Sequence, residues 1–171
     1  MVSISGDGAA VEDLRTERLT LRVWTAAEAA AVVEGGRRAD WAEDFPAEGD
    51  ATIAPLLAAN PGWSGPFGHR LVAERESGLV VGSLGLFWPP AAGVVELGYG
   101  IVAPRRGRGY APEAVGALVA QAFTSPEVKQ VFATVKPANP ASVRVLEKSG
   151  FRRIGLDASS GLIRYEAAPL G

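Results

Sequence analysis

The 171-residue chain has no cysteine, a single histidine and a single methionine. The absence of cysteine excludes disulfide scaffolds, thiol nucleophiles and Cys-ligated zinc. With His69 as the sole imidazole, a histidine-rich metal site has no ligands, and a serine–histidine relay has little to build on. No apolar run approaches the roughly 20 residues that span a bilayer. The opening Met1 to Gly8 lacks the basic and apolar regions of a signal peptide. A cytoplasmic protein without membrane contact is therefore expected. Net charge is also scarce: 17 Lys and Arg against 19 Asp and Glu leave −2, which argues against nucleic acid held by bulk charge. What is present, 47% hydrophobic and 21% charged residues, is the composition of a folded domain with its own core. Repeats and low-complexity tracts are absent, and the chain reads as a loose tail over residues 1–13 followed by one domain over 14–171.

Leu19, Leu21 and Val23 alternate with Thr20 and Arg22, the period of a strand with one buried face. Thr25 and Glu28 then form a capping box, and Gly35-Gly36 stops the Ala-rich helix they open. A second helix is expected from about Thr52 to Ala59, before Asn60-Pro61-Gly62. His69 to Glu74, Leu79 to Phe87 and Val94 to Val102 read as three strands in an antiparallel meander. Pro112 suits a helix first turn leading into Glu113 to Phe123. Gln130 to Val135 is a further strand, Asn139-Pro140 opens a helix that Gly150 ends, and Phe151 to Ile154 and Leu162 to Ala167 close the chain as strands. Strands followed by a β-loop-α-β-α-β tail make a mixed α/β arrangement.

The richest segment runs from Ile101 to Ala111. Gly107, Gly109 and Ala111 let the backbone approach a bulky anion, and the following helix points unpaired N–H groups at the same place. Arg105, Arg106 and Arg108 add charge for outer phosphates. Alternatively the glycines only join strand to helix and the arginines are solvated. The dinucleotide spacing Gly-x-Gly-x-x-Gly is not met, and no Gly-Lys-Ser/Thr closes the loop, so a different phosphorylated ligand is required.

This segment resembles the acyl-CoA loop of the general-control-type N-acetyltransferase (GNAT) superfamily, Gln/Arg-x-x-Gly-x-Gly/Ala, with Arg106, Gly109 and Ala111 matching in order. The resemblance continues in Glu96-Leu97-Gly98-Tyr99-Gly100-Ile101 before the loop and in Asn139 to Phe151 after it. Thr16 to Arg22 looks like the opening of the ribosomal-protein-alanine acetyltransferase branch. The resemblance implies a central, mostly antiparallel twisted sheet of about seven strands flanked by about four helices, with a splayed strand pair that binds acyl-CoA. Acetyl-CoA would be a cosubstrate, with no metal. The backbone of Ile101 and Val102 would pair with pantetheine. The loop from Arg106 through Gly107, Arg108, Gly109 and Tyr110 to Ala111 would hold the pyrophosphate, and Asn139 and Ser142 would reach the pantetheine arm and the sulfur.

Direct attack by a neutral amine needs a base, and Glu96, a carboxylate within an apolar strand, is the candidate; a solvent-facing or arginine-paired Glu96 is the alternative. Many family members carry a proton-donating tyrosine where this chain has Leu146, so Ser142 is the substitute the resemblance implies; capping of the helix is its other reading. Tyr99 and Tyr110 are further possible donors, or a strand aromatic and a helix anchor. On the acceptor side, Trp41 and Asp44, within an acidic stretch that also holds Asp40, Glu43 and Phe45, would cover a cationic amine together with Tyr99; a solvated acidic loop with two aromatic anchors is the alternative. The acceptor is a peptide N-terminus or a small amine, and the protein a monomer or homodimer. A noncatalytic acyl-CoA-binding module is the competing function; an arginine–glycine contact to nucleic acid is disfavoured by the net negative charge.

Overall fold

The structure is a computed structural model that describes residues 11–169. Its strands are β1 (Leu14–Arg15), β2 (Leu19–Val23), β3 (His69–Glu74), β4 (Val80–Leu86), β5 (Val94–Ile101), β6 (Gln130–Val135), β7 (Arg152–Asp157) and β8 (Leu162–Ala167). The helices are α1 (Ala26–Val33), α2 (Glu48–Leu57), α3 (Tyr110–Ala122) and α4 (Pro140–Lys148). The strands form one sheet in the order β1-β2-β3-β4-β5-β6-β8-β7. Every neighbouring pair is antiparallel except β5 with β6.

That parallel pair is short. Val94, Val95 and Glu96 lie opposite Gln130, Val131 and Phe132, and no pairing continues beyond them. The carbonyl of Gly93 accepts the N–H groups of both Lys129 and Gln130, at 2.7 and 3.0 Å, and fastens the strands at this end. From there β5 stays with β4, and β6 continues along β8. The sheet thus opens into a V.

The elements follow local chemistry where a local signal exists. The Thr25 side chain accepts the N–H of Glu28 and the Glu28 carboxylate accepts that of Thr25, the reciprocal cap that starts α1. On α3 the inward face Ala114, Val115, Leu118 and Ala122 is buried at helical spacing. β6 and β8 bury alternate residues, Val131, Ala133 and Val135 beside Ile163, Tyr165 and Ala167. Arg70 is 1% exposed and bridges three carbonyls, those of Glu12, Leu21 and Pro66, tying residues before β1 to the sheet.

Several boundaries depart from the sequence-based expectation. There are eight strands instead of about seven, because Leu14–Arg15 pairs with β2 over two residues, too few to show a period. The second helix starts at Glu48, not Thr52. The Asp50 carboxylate takes the Ala47 N–H at 2.8 Å and the Ser83 hydroxyl of β4, so a tertiary contact sets its start. α3 begins at Tyr110 because Gly109, at φ +83°, turns the chain directly into it. β7 runs on to Asp157 through a register irregularity between Arg153 and Gly155. The first ten residues of the expected tail lie outside the described residues.

Candidate functional site

The V between β5 and β6 opens into a cleft of about 380 Å³. Tyr99, Gly100 and Ile101 form its floor. The segment from Arg105 to Pro112 makes one wall, and Asn139, Ser142, Arg144 and Lys148 lie along the other.

Main-chain direction along β5 decides what the floor offers. The Glu96 carbonyl accepts the Phe87 N–H and the Val102 N–H donates to the Val81 carbonyl, both 2.9 Å and both toward β4. Alternation then turns the backbone groups of Tyr99 and Ile101 into the V, beyond the last residue of β5 that pairs with β6. The Ile101 main chain therefore faces the V, whereas Val102, expected to pair with the same arm, is 2% exposed with its N–H spent on β4. The Ile101 carbonyl itself accepts Nε of Arg106 at 2.8 Å.

At the loop, Gly107 and Gly109 have φ of +79° and +83°, where an L side chain is strained. Glu113 donates its N–H to the Gly109 carbonyl at 3.3 Å, and Pro112 has no N–H. The N–H groups of Tyr110 and Ala111 thus begin the helix ahead of any intrahelical acceptor and face the cleft.

The loop arginines are fastened behind this turn. Glu74, buried at the end of β3, accepts Nε of Arg105 at 2.9 Å, the Tyr110 hydroxyl at 2.8 Å and the Ser77 hydroxyl at 2.7 Å; Arg108 approaches to 3.7 Å. Burial opposes the Glu74 charge, and the hydrogen bonds from Ser77, Tyr110 and Arg105 outweigh it and hold the carboxyl below its usual range. Arg18 makes a second brace. It donates to the Arg108 carbonyl at 2.7 Å, pairs with Glu113 at 2.8 Å and lies 4.9 Å from the centre of the Tyr110 ring. Tyr110 is therefore an anchor of the helix start.

On the opposite wall, Asn139 caps α4: its side-chain oxygen accepts the Ser142 N–H at 3.2 Å. The Tyr99 hydroxyl crosses the V and donates to the Ser142 carbonyl at 3.2 Å, and burial raises its pKa. Leu146, fully buried, packs into the core. Glu96 stands at the closed end of the V opposite Phe132. Burial raises its pKa, while Arg164 pulls the other way. Arg164 lies 3.8 Å over the Phe132 ring and pairs with Glu166 at 2.6 Å, so among the described residues Glu96 forms no ion pair of its own.

The acidic stretch lies apart from the cleft lining. Trp41 is 4% exposed and meets the fully buried Phe45 edge-on at 5.1 Å, so the indole is an anchor of the core and not an exposed cover for an amine. Asp44 is exposed, and Asp40 pairs with Arg22 at 3.2 Å. A separate aromatic group, Trp63, Phe87 and His69, packs around Gly85, where any Cβ would collide with the imidazole. Burial pushes the His69 pKa down to about 4, so the ring is neutral.

Sequence reasoning missed Glu74, whose partners lie 31 and 36 residues away with no spacing to announce them. It also missed Arg144 and Lys148, although their signal was there: 141, 144, 145 and 148 are one face of a helix. Among the described residues no group of three or more His, Cys, Asp or Glu could hold a metal, and no helix is long and apolar enough to cross a membrane.

Residues 18–152 match the acetyltransferase (GNAT) domain family. The chain is similar to an uncharacterized N-acetyltransferase p20 of Bacillus licheniformis, 31% identical over 86 residues, which is 50% of this chain and 48% of that protein. It thus spans about half the length of this curated relative. A solved acetyltransferase from Agrobacterium tumefaciens str. C58 superposes with a TM-score of 0.68 at 25% identity, covering 94% of this chain and 96% of that one. A ribosomal-protein-S5-alanine acetyltransferase from Vibrio fischeri gives 0.68 at 15% identity, over 92% and 96%, a likeness of fold alone. With the splayed strands, the glycine turn and a family match across most of its length, this chain belongs to the GNAT acetyltransferases.

Proposed function

We propose that the protein transfers an acetyl or other acyl group from acyl-CoA to a primary amine, that of a peptide N-terminus or a small molecule, by direct attack with both substrates bound. The observation that carries this reading is the V itself: an unpaired β5 edge leads to the free N–H groups at the start of α3. The residues fit the donor. Tyr99 and Ile101 present backbone groups to an amide-bearing arm, Tyr110 and Ala111 present N–H groups to a pyrophosphate, and among the described residues no carboxylate lines the cleft. The donor, when bound, supplies an activated thioester carbonyl.

The chain's own residues then have separable tasks. Glu96, whose pKa burial raises toward the useful range, takes the proton that the amine nitrogen loses as it attacks, directly or through water. Ser142 and Tyr99 stand together at the open end of the V. There the Ser142 hydroxyl offers a hydrogen bond to the departing sulfur, and the Tyr99 phenol keeps its proton at neutral pH. Asn139 spends its oxygen on the helix cap and keeps its amide N–H groups for the arm. The ribosomal-protein-alanine branch, with a peptide N-terminus as acceptor, is the finer form of this proposal; the Asn-x-x-Ser start of α4 and the opening Thr16 to Arg22 support it. One observation favours a second reading, a noncatalytic acyl-CoA sensor: Leu146 is a buried core residue where many relatives carry a proton donor.

Calorimetric titration with acetyl-CoA, followed by free-thiol release against peptides and small amines, separates them. Saturable binding with thiol release on one amine class supports the transferase. Tight binding without release on any amine supports the sensor, and no binding refutes both.

A further inference from the structure

The cleft carries more positive charge than a pyrophosphate site needs. Arg105, Arg106, Arg144 and Lys148 all line it, without one Asp or Glu, in a chain whose net charge is −2. The two loop arginines are already engaged, Arg105 with Glu74 and Arg106 with the Ile101 carbonyl. Arg144 and Lys148 are not. Both are exposed, and neither forms an ion pair among the described residues. They lie four apart on α4, so their heads emerge one above the other on the wall facing the loop. A cation in the last turn of a helix, as Lys148 is, has a reason of its own in the helix dipole. Arg144, in the middle of α4, has none.

We propose that Arg144 and Lys148 form a second anion subsite that reads the phosphate on the ribose 3′ position of the donor, and so discriminate coenzyme A from its 3′-dephospho form. This rests on the cleft being the donor site. The pyrophosphate takes the N–H groups of Tyr110 and Ala111 on one wall. A further phosphate on the same nucleotide meets the opposite wall, where a planar guanidinium and a mobile ammonium donate hydrogen bonds to its oxygens from two directions.

The test is a cycle between ligand and protein, with CoA and 3′-dephospho-CoA titrated into the wild type, Arg144→Gln, Lys148→Gln and the double variant. Wild type is expected to prefer CoA by on the order of tenfold, the scale of a charge-assisted phosphate contact. Each single variant should shrink that ratio, and the double variant should bring it near one while binding 3′-dephospho-CoA as wild type does. A wild type that binds both ligands equally overturns the subsite and leaves the donor cleft standing. A double variant that keeps the wild-type ratio, or weakens both ligands alike, also overturns it. If wild type binds neither ligand, the proposed function fails and the subsite with it.

Discussion

Replacing Glu74 tests whether the buried carboxylate behind the glycine turn holds that wall of the cleft in place. Its two oxygens collect Arg105, Tyr110 and Ser77 between 2.7 and 2.9 Å. Glu74→Ala deletes all three hydrogen bonds, one of them to a guanidinium, and opens a small void. A hydrogen bond to a charged group is worth about 1.5–3 kcal/mol. Arg105, Tyr110 and Ser77 all reach solvent and recover hydration when the carboxylate is removed, so the expected cost is only about 3 kcal/mol. Glu74→Gln keeps the shape and one carbonyl oxygen for Arg105 and Tyr110, and the Ser77 hydroxyl can rotate to accept the new amide; its cost should be only about 1 kcal/mol.

Urea unfolding reads the difference. With m near ~2 kcal/mol/M, alanine should lower the midpoint by about 1.5 M and glutamine by about 0.5 M, with m unchanged. Because the folded pKa of Glu74 lies below the usual 4.5, its contribution is complete above that pH and fades as pH falls through the lowered folded value. The gap between wild type and Glu74→Gln should therefore close on acidification. A loss under about 1 kcal/mol for alanine, equal losses for both variants, or a gap that widens in acid would each refute this account.

Other substitutions address the chemistry and the core. Gly109→Glu puts a side chain at φ +83°, with its Cβ 3.2 Å from an Arg18 nitrogen, and a negative charge beside the N–H turn; calorimetry should show acetyl-CoA binding abolished, and normal binding would remove the pyrophosphate assignment. Glu96→Gln should leave acetyl-CoA affinity unchanged, slow turnover, and flatten a kcat/KM profile that in wild type climbs through the raised pKa of Glu96; full turnover at every pH would dismiss Glu96 as the base. Folded His69 titrates near 4 against 6.5 when unfolded, so its neutral form favours the fold above about pH 6.5 and that stability drains away as pH drops toward 4. Urea midpoints for His69→Phe should lack that part of the slope, and an unchanged slope would show that the imidazole is not held neutral by burial.

Most strands and the caps of α1 and α4 were legible in the sequence because each is decided by neighbours in the chain. Thr25 and Glu28 close a box three residues apart, Asn139 reaches only to Ser142, and strand alternation repeats every second residue. Gly107 and Gly109 announced the tight turn before α3 for the same reason, as positive φ is a property of a single residue. The start of α2 was not legible, since Asp50 answers to Ser83 across 33 positions. Trp41 read as a cover for an amine because composition says nothing of which way an indole turns; packing against Phe45 turned it inward.

The sequence by itself determined the order of elements, the glycine turn and the residue types at the site, since these follow from periodicity and backbone preference over a few residues. The tertiary structure alone decided which groups the cleft receives. It sent the Val102 N–H to β4 and the Ile101 edge into the V, tied Arg105 to Glu74, and left Arg144 and Lys148 on the facing wall without an ion pair among the described residues. Burial and pairing are settled by neighbours distant in the chain, and a charge acts on a ligand only when no such neighbour has claimed it.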